Sequence, residues 1–160
     1  MADAHPSRST PPEVRRPGSV QVVVTNGDAE TETVGASLAR TLVAGDVVLL
    51  VGDLGAGKTA FVRGLAAGLG VDPDQVSSPT FTLMQEYRGP VTLRHLDLYR
   101  LERQADIDDL DIEAMRDGAV VVVEWAERMA VAPPSAWVVR ICVGDDDVRH
   151  IDVAAPAERH

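Results

Sequence analysis

The sequence is poor in cysteine and lysine, with one of each among its 160 residues. A single cysteine, Cys142, excludes an internal disulfide framework and any metal site built from several cysteines. It lies in the apolar stretch AWVVRICV, which predicts a small core residue. Such sparing use of cysteine suits a reducing compartment, so we expect a cytoplasmic protein.

Basic residues are scarce relative to acidic ones, and long apolar runs are missing. The chain has 25 acidic and 15 basic residues, which gives a formal net charge of -10. Such a surface repels phosphodiester backbones, so we expect the chain to contact RNA only through a partner protein. No stretch approaches the length of a membrane span, and the first residues lack the apolar segment of a secretory signal.

The length and the distribution of proline predict one domain with short tails. Residues 1–18 contain four prolines among polar residues and are predicted to be a disordered tail. Residues 19–155 are predicted to form a P-loop ATPase domain, and residues 156–160 a C-terminal tail. The predicted fold class is α/β: a single P-loop NTPase domain with a mixed, mostly parallel sheet, helices on both faces and antiparallel edge hairpins.

Alternating and helical patterns of apolar residues predict the elements of that domain. A strand at 20–24 leads into a helix with Asp28 as its N-cap and Gly45 at its end, and a helix rich in small residues ends at Gly70. A further helix is expected over 106–117, with Ile107, Leu110 and Ala114 on its inner face. The remaining predicted strands are 47–51, 119–123, an antiparallel pair around 88–90, and a C-terminal hairpin across 144–147.

The stretch LLVGDLGAGKTAF contains the pattern GxxxxGK[ST], placed between a predicted strand and a predicted helix. Its glycines let successive amides point at phosphate oxygens, and the helix N-terminus adds positive potential. Lys58, the single lysine, would reach the β and γ phosphates. ATP is favoured over GTP because the guanine motif Asn-Lys-x-Asp would need a second lysine. The predicted nucleotide contacts are Gly52, Asp53, Leu54, Gly55, Ala56, Gly57, Lys58, Thr59 and Ala60.

A P-loop site also needs a hydroxyl and a carboxylate for magnesium, and a group that orients the attacking molecule. Thr59 supplies the hydroxyl, and two carboxylates qualify as the acid. Glu124 ends a run of valines, and Asp97 ends the strand pattern VTLRHLD. The spacing alone favours Glu124. Thr80, in SSPTF, occupies the position of a threonine that senses the γ-phosphate, although a simple turn explains this segment equally well.

Together, GDLGAGKT, SSPTFTLMQEY, HLDLYR and VVEWAE resemble the TsaE (YjeE) family over about residues 20–145. The resemblance implies a magnesium-dependent ATPase that works with the TsaD and TsaB proteins in the threonylcarbamoyladenosine modification of tRNA. It also implies the roles of six residues: Lys58 on the phosphates, Thr59 and Asp97 on magnesium, Thr80 in a switch-like segment, Glu124 on the γ-phosphate side, and Trp125 near the nucleotide. The chain has Ala126 where the family often has proline.

Two other functions remain open from the sequence. A small-molecule kinase would share the P-loop but would usually add an arginine-bearing lid, and the arginines at 88, 94, 100 and 103 are scattered. A nucleotide-dependent binding module would bind ATP without hydrolysing it. His95 is interpreted as a strand residue that bonds to a neighbour, the acidic helix as a solvated face rather than a docking surface, and Arg100 as an exposed arginine rather than a phosphate ligand.

Overall fold

The computed structural model describes residues 20–52, 57–77 and 83–157, with Arg100 described by its backbone only. Predictions for the N-terminal tail and for 53–56, 78–82 and 158–160 lie outside these residues. The strands are β1 (Val20–Asn26), β2 (Val47–Gly52), β3 (Met84–Tyr87), β4 (Thr92–Asp97), β5 (Ala119–Glu124), β6 (Ala136–Val143) and β7 (Val148–Ala154). The α-helices are α1 (Asp28–Ala39), α2 (Lys58–Gly68), α3 (Gln104–Asp108) and α4 (Ile112–Met115).

The strands form one sheet in the order β1-β7-β6-β2-β5-β4-β3. Strands β6, β2, β5 and β4 are parallel to one another, whereas β7 and β3 run antiparallel to their neighbours. Every residue of β5 is buried, as expected of a central strand covered on both faces. The predicted mixed, mostly parallel sheet with antiparallel edges is therefore confirmed.

Helices cover both faces of the sheet, and the apolar strands supply alternate residues to each side. On one face, α1 and α2 pack their leucines and Phe61 against Val48, Leu50 and Val122. On the other face, Ile107 and Ile112 from α3 and α4 pack against the intervening strand residues, such as Val121. Among the described residues no helix is long and apolar enough to cross a membrane.

Two glycines let α1 and α2 touch through their backbones. A Cβ on Gly64 would lie 1.9 Å from the carbonyl oxygen of Glu32, and a Cβ on Gly35 would lie 2.3 Å from that of Phe61. Either distance is far inside van der Waals contact. A side chain at either position would force α1 and α2 apart.

The single helix predicted over 106–117 is wrong. The structure has two short helices, because Oδ1 of Asp111 accepts a hydrogen bond from the amide of Ala114 at 3.0 Å and caps a new helix. Ile107 is buried as predicted, but Ile112 rather than Ala114 is the buried residue of the second helix.

Three smaller predictions are also wrong. Gly27, with φ of 90°, is the N-cap of α1, and Asp28 is its first helical residue. Helix α1 ends at Ala39, so Gly45 does not terminate it; its amide instead donates to the carbonyl of Ala119 at 2.8 Å. Cys142 is exposed, because strand alternation turns it away from the face that α1 and α2 cover.

Candidate functional site

Three strands carry the predicted site residues to one edge of the sheet. Strands β2, β5 and β4 are adjacent and parallel, so their C-terminal ends coincide, and ligands of open α/β sheets bind at this edge. Glu124 pairs with Leu50 on one side and with Asp97 on the other. The end of β2 therefore lies at the same edge as both predicted carboxylates, next to the strand that carries Glu124 and one strand further from Asp97.

Helix α2 begins immediately after the glycine loop. Its N-cap is Gly57, whose φ of 95° lies in the left-handed region that glycine adopts without strain. Since glycine has no side chain, no capping group is supplied to the first amides of the helix, and these amides have no partner inside it. The start of α2 is thus suited to accept the oxygens of an anion.

The amino group of Lys58 lies between the two sides of this site. Its side chain is buried, and Nζ donates to the carbonyl of Gly52 at 2.9 Å. The same nitrogen lies 4.0 Å from the ring centroid of Trp125. A carbonyl and an aromatic ring are neutral partners, and a phosphate oxygen would be a stronger one. Its partners among the residues that the structure describes are therefore neutral, and the lysine is held close to where phosphates would bind.

Asp97 is a buried carboxyl group at the end of β4. Its Oδ1 accepts a hydrogen bond from the amide of Tyr99 at 2.9 Å. Burial raises the pKa of Asp97 above its ordinary value, and the charge of Glu124 raises the pKa further. The Tyr99 amide and the nearby His95 and Lys58 act in the opposite direction but do not cancel this rise. A bound cation would relieve the cost of keeping this carboxylate charged.

Glu124 is buried at the end of β5 and forms a hydrogen bond through Oε2 to Nε2 of His95. His95 has no exposed surface. The interpretation of His95 as a strand residue bonded to a neighbour is confirmed, but the neighbour is the predicted catalytic acid. The bond fixes one carboxylate oxygen of Glu124, Oε2.

Trp125 turns the chain directly after the acid. Its φ of 60° and ψ of 37° are left-handed, an unusual conformation for a bulky residue. The ring lies 5.0 Å from that of Tyr99, and the guanidinium of Arg128 lies within 5.8 Å of both rings. Arg128 also donates to the carbonyls of Tyr99 and Leu101, at 2.9 and 2.8 Å. Sequence reasoning missed Tyr99 and Arg128, because only the fold brings the two turns together.

The predicted switch-like residue Thr80 lies outside the described residues, but the residue that follows its segment, Leu83, contacts the site. The amide of Asp97 donates to the carbonyl of Leu83 at 3.0 Å. On the other side, the hydroxyl of Tyr87 contacts the carbonyl of Ser77 at 3.3 Å. Of the two described residues that flank this segment, Leu83 is therefore the one bonded to the carboxylate strand at Asp97.

The predicted metal ligands suit magnesium better than a metal that needs a protein cage. No three histidine, cysteine, aspartate or glutamate side chains gather around a common point in the described parts of the chain. Magnesium usually takes one or two protein ligands and completes its shell with water and phosphate oxygens. Thr59, in the first turn of α2, and the buried carboxyl of Asp97 fit such a partial shell.

The structure thus brings most of the predicted residues together and leaves some untested. Gly52, Gly57, Lys58, Thr59 and Ala60 lie at the junction of β2 and α2, facing the edge that carries Asp97, Glu124 and Trp125. The predicted contacts Asp53, Leu54, Gly55 and Ala56, and the side chain of Arg100, lie outside what the structure describes.

Comparison with known proteins agrees with this geometry. The family model described as "Threonylcarbamoyl adenosine biosynthesis protein TsaE" matches residues 25–151. Curated proteins named "tRNA threonylcarbamoyladenosine biosynthesis protein TsaE" are similar along most of their length. The protein from Nostoc sp. is 43% identical over 77% of this chain and 78% of its own. The one from Treponema pallidum is 42% identical over 82% of this chain and 98% of its own. The crystal structure of Bacillus subtilis YdiB superposes with a TM-score of 0.66 at 32% identity, covering 86% of each chain.

Proposed function

The chain belongs to the TsaE family, and we propose that it is a magnesium-dependent ATP hydrolase serving the threonylcarbamoyladenosine modification of tRNA. In this proposal it acts in the cytoplasm as an accessory subunit of the TsaD and TsaB proteins. The observation that carries the proposal is the meeting of Lys58, Asp97 and Glu124 at the end of the phosphate loop. A lysine, a metal-binding carboxylate and a second, histidine-bound carboxylate are the groups that phosphoryl transfer to water requires.

In this proposal each site residue has a role that follows from its position. The first amides of α2 and Lys58 bind the phosphates and offset their negative charge. Thr59 and Asp97 would hold magnesium, which supplies further neutralisation of the phosphate oxygens when bound. Glu124, one of whose oxygens is bonded to His95, uses the other to orient the attacking water. Thr80 would sense the γ-phosphate from the segment that begins after Ser77.

The balance of charge supports indirect action on tRNA. With a formal net charge of -10, the chain is poorly suited to bind a polyanion by itself. We therefore place the contact with tRNA on the partner proteins. Hydrolysis in this chain would then serve turnover of the complex rather than the transfer of the threonylcarbamoyl group.

The arginines near the hairpin argue against the small-molecule kinase. Arg94 donates to Glu86 at 2.8 Å and to the carbonyl of Met115 at 2.7 Å, and Arg103 pairs with Asp106 at 3.0 Å. Side chains bound to their own neighbours do not form the mobile lid that a kinase closes over its acceptor. Water is thus the favoured acceptor of the phosphoryl group.

Steady-state phosphate release and nucleotide binding test the proposal. Lys58→Ala should abolish both, whereas Glu124→Gln should lower turnover by about 100-fold or more and retain ATP binding. Glu102→Gln, which removes a charge from an exposed side chain, is the matched control and should behave as the wild type. Unchanged turnover in Glu124→Gln would reject the catalytic role of Glu124, and absence of turnover in the wild type alone and with partners would favour a binding module.

A further inference from the structure

The turn between β6 and β7 lies on the opposite side of the phosphate loop from the carboxylates. Strand β6 is parallel to β2, with Gly52 paired to Ile141, so the end of β6 reaches the same edge of the sheet. The sheet order β7-β6-β2-β5 places β7 and Glu124 on opposite sides of β2. A nucleotide whose γ-phosphate faces Glu124 therefore extends its other end toward β6 and β7.

Arg149, the second residue of β7, projects its side chain against the start of α2. A Cβ added at Gly57 would lie 3.3 Å from Nε and 4.0 Å from Cδ of this arginine. The side chain of Arg149 is only 11% exposed, so the guanidinium is largely enclosed beside the loop. Gly57, which Arg149 contacts, directly precedes Lys58 in the sequence. Arg149 approaches this residue from β7, whereas Lys58 is the first residue of α2.

The hydrogen bonds of Arg149 leave it incompletely satisfied within the described residues. Nη1 donates to the carbonyl of Asp147 at 2.9 Å, and the carboxylate of the same residue lies 3.9 Å away with its side chain 90% exposed. Nε is buried and has no hydrogen-bond partner there. A buried guanidinium nitrogen without an acceptor is costly, and arginine is well suited to bind phosphate oxygens.

We propose that Arg149 is a nucleotide-binding residue, which contacts the α-phosphate of the bound nucleoside triphosphate from the β7 side. This assignment rests on the proposed function. It gives Arg149 the part of the nucleotide that Lys58 and Glu124 do not reach. Since the α-phosphate is present in ATP and ADP alike, Arg149 contributes equally to the binding of both. It does not take part in cleavage of the γ-phosphate.

Titration of ADP and ATP into variants of the full chain tests this assignment. Arg149→Met keeps an apolar stem against Gly57 and removes the charge, whereas Arg149→Ala removes both. Each should raise the dissociation constants of ADP and ATP by about tenfold or more, the loss of one charge-assisted contact. The turnover number at saturating ATP should stay within about twofold of the wild type. Arg40→Ala, an exposed arginine after the far end of α1, should change neither.

Two outcomes would overturn the assignment of Arg149 without touching the proposed function. If Arg149→Met binds ADP as tightly as the wild type while Arg149→Ala does not, the stem merely supports Gly57. If both variants bind normally, the arginine makes no contact with the ligand. Failure of the wild type itself to bind ADP and ATP would instead contradict the proposed function, so the two failures are distinguishable.

Discussion

The imidazole of His95 and the carboxylate of Glu124 share a buried hydrogen bond between Nε2 and Oε2. The two residues come from neighbouring parallel strands, and both side chains are almost fully removed from solvent. In the proposed function Glu124 orients the attacking water, which requires a fixed carboxylate. We therefore expect His95 to act as the positioning residue for Glu124.

Replacement of His95 by leucine should lower the turnover number but leave nucleotide affinity almost unchanged. Because Glu124 loses its partner, we expect turnover to fall by about tenfold or more while the dissociation constant of ADP changes less than twofold. His95→Gln can still donate a hydrogen bond and should recover part of the turnover. Wild-type turnover in His95→Leu, measured by phosphate release, would show that the bond has no role in positioning.

Asp97→Asn should stabilise the chain in the absence of magnesium and nucleotide. The raised pKa of Asp97 means that the folded state disfavours the charged carboxylate, whereas asparagine can keep the bond from the Tyr99 amide. At neutral pH the gain in unfolding free energy should be about 1 kcal/mol. The wild type loses this stability as pH rises through the raised pKa, so the gain should shrink on acidification and vanish below the ordinary range of aspartate.

Urea unfolding of both proteins at several pH values measures this difference. A gain that is the same at acidic and neutral pH would point to packing rather than to charge. A loss of stability in Asp97→Asn at neutral pH would contradict the account, in which the carboxylate is retained for metal binding at a cost in stability.

Nucleotide binding should change the fluorescence of Trp125. Lys58 now lies 4.0 Å from the centroid of this ring and would turn toward the phosphates, which removes a cation from the indole face. Trp137→Phe removes the only other tryptophan. In that background, ADP should shift the emission, and Lys58→Met should show the shifted emission before ADP is added. An ADP response that persists in Trp125→Phe but not in Trp137→Phe would contradict this contact.

Gly64→Ala should destabilise the fold. In an open helix this change gains about 0.5–1 kcal/mol, because alanine is the better helix former. Here the new methyl group would lie 1.9 Å from the carbonyl oxygen of Glu32, so we expect a loss of about 1–3 kcal/mol as α1 and α2 are forced apart. The midpoint of chemical denaturation measures the effect, and a gain in stability would contradict the close crossing of the two helices.

The parts of the fold that follow from local patterns could be predicted from the sequence. The runs of valine and leucine in β2 and of valine in β5 have the composition of strands buried on both faces, and the glycine pattern before Lys58 specifies the start of α2. The prediction of one helix over 106–117 was wrong for a local reason too. The Asp111 side chain accepts a hydrogen bond from the Ala114 amide and so starts a second helix.

The parts that depend on strand register could not be predicted. His95 and Glu124 are 29 residues apart, and their bond exists because β4 and β5 pair in one register. Arg149 reaches Gly57 only because β7 lies next to β6 in the sheet. Neither contact corresponds to a spacing pattern in the sequence, whereas Lys58 is part of the pattern GxxxxGK[ST].

The proposed accessory role is best tested by the rate of magnesium-dependent ATP hydrolysis, measured for the chain alone and with TsaD and TsaB. Lys58→Ala serves as the blank. We expect slow turnover of the chain alone and a clear rise when the two partners are added, because in the proposed function hydrolysis serves the modification complex. A rate that does not change on addition of TsaD and TsaB would contradict the proposed accessory role.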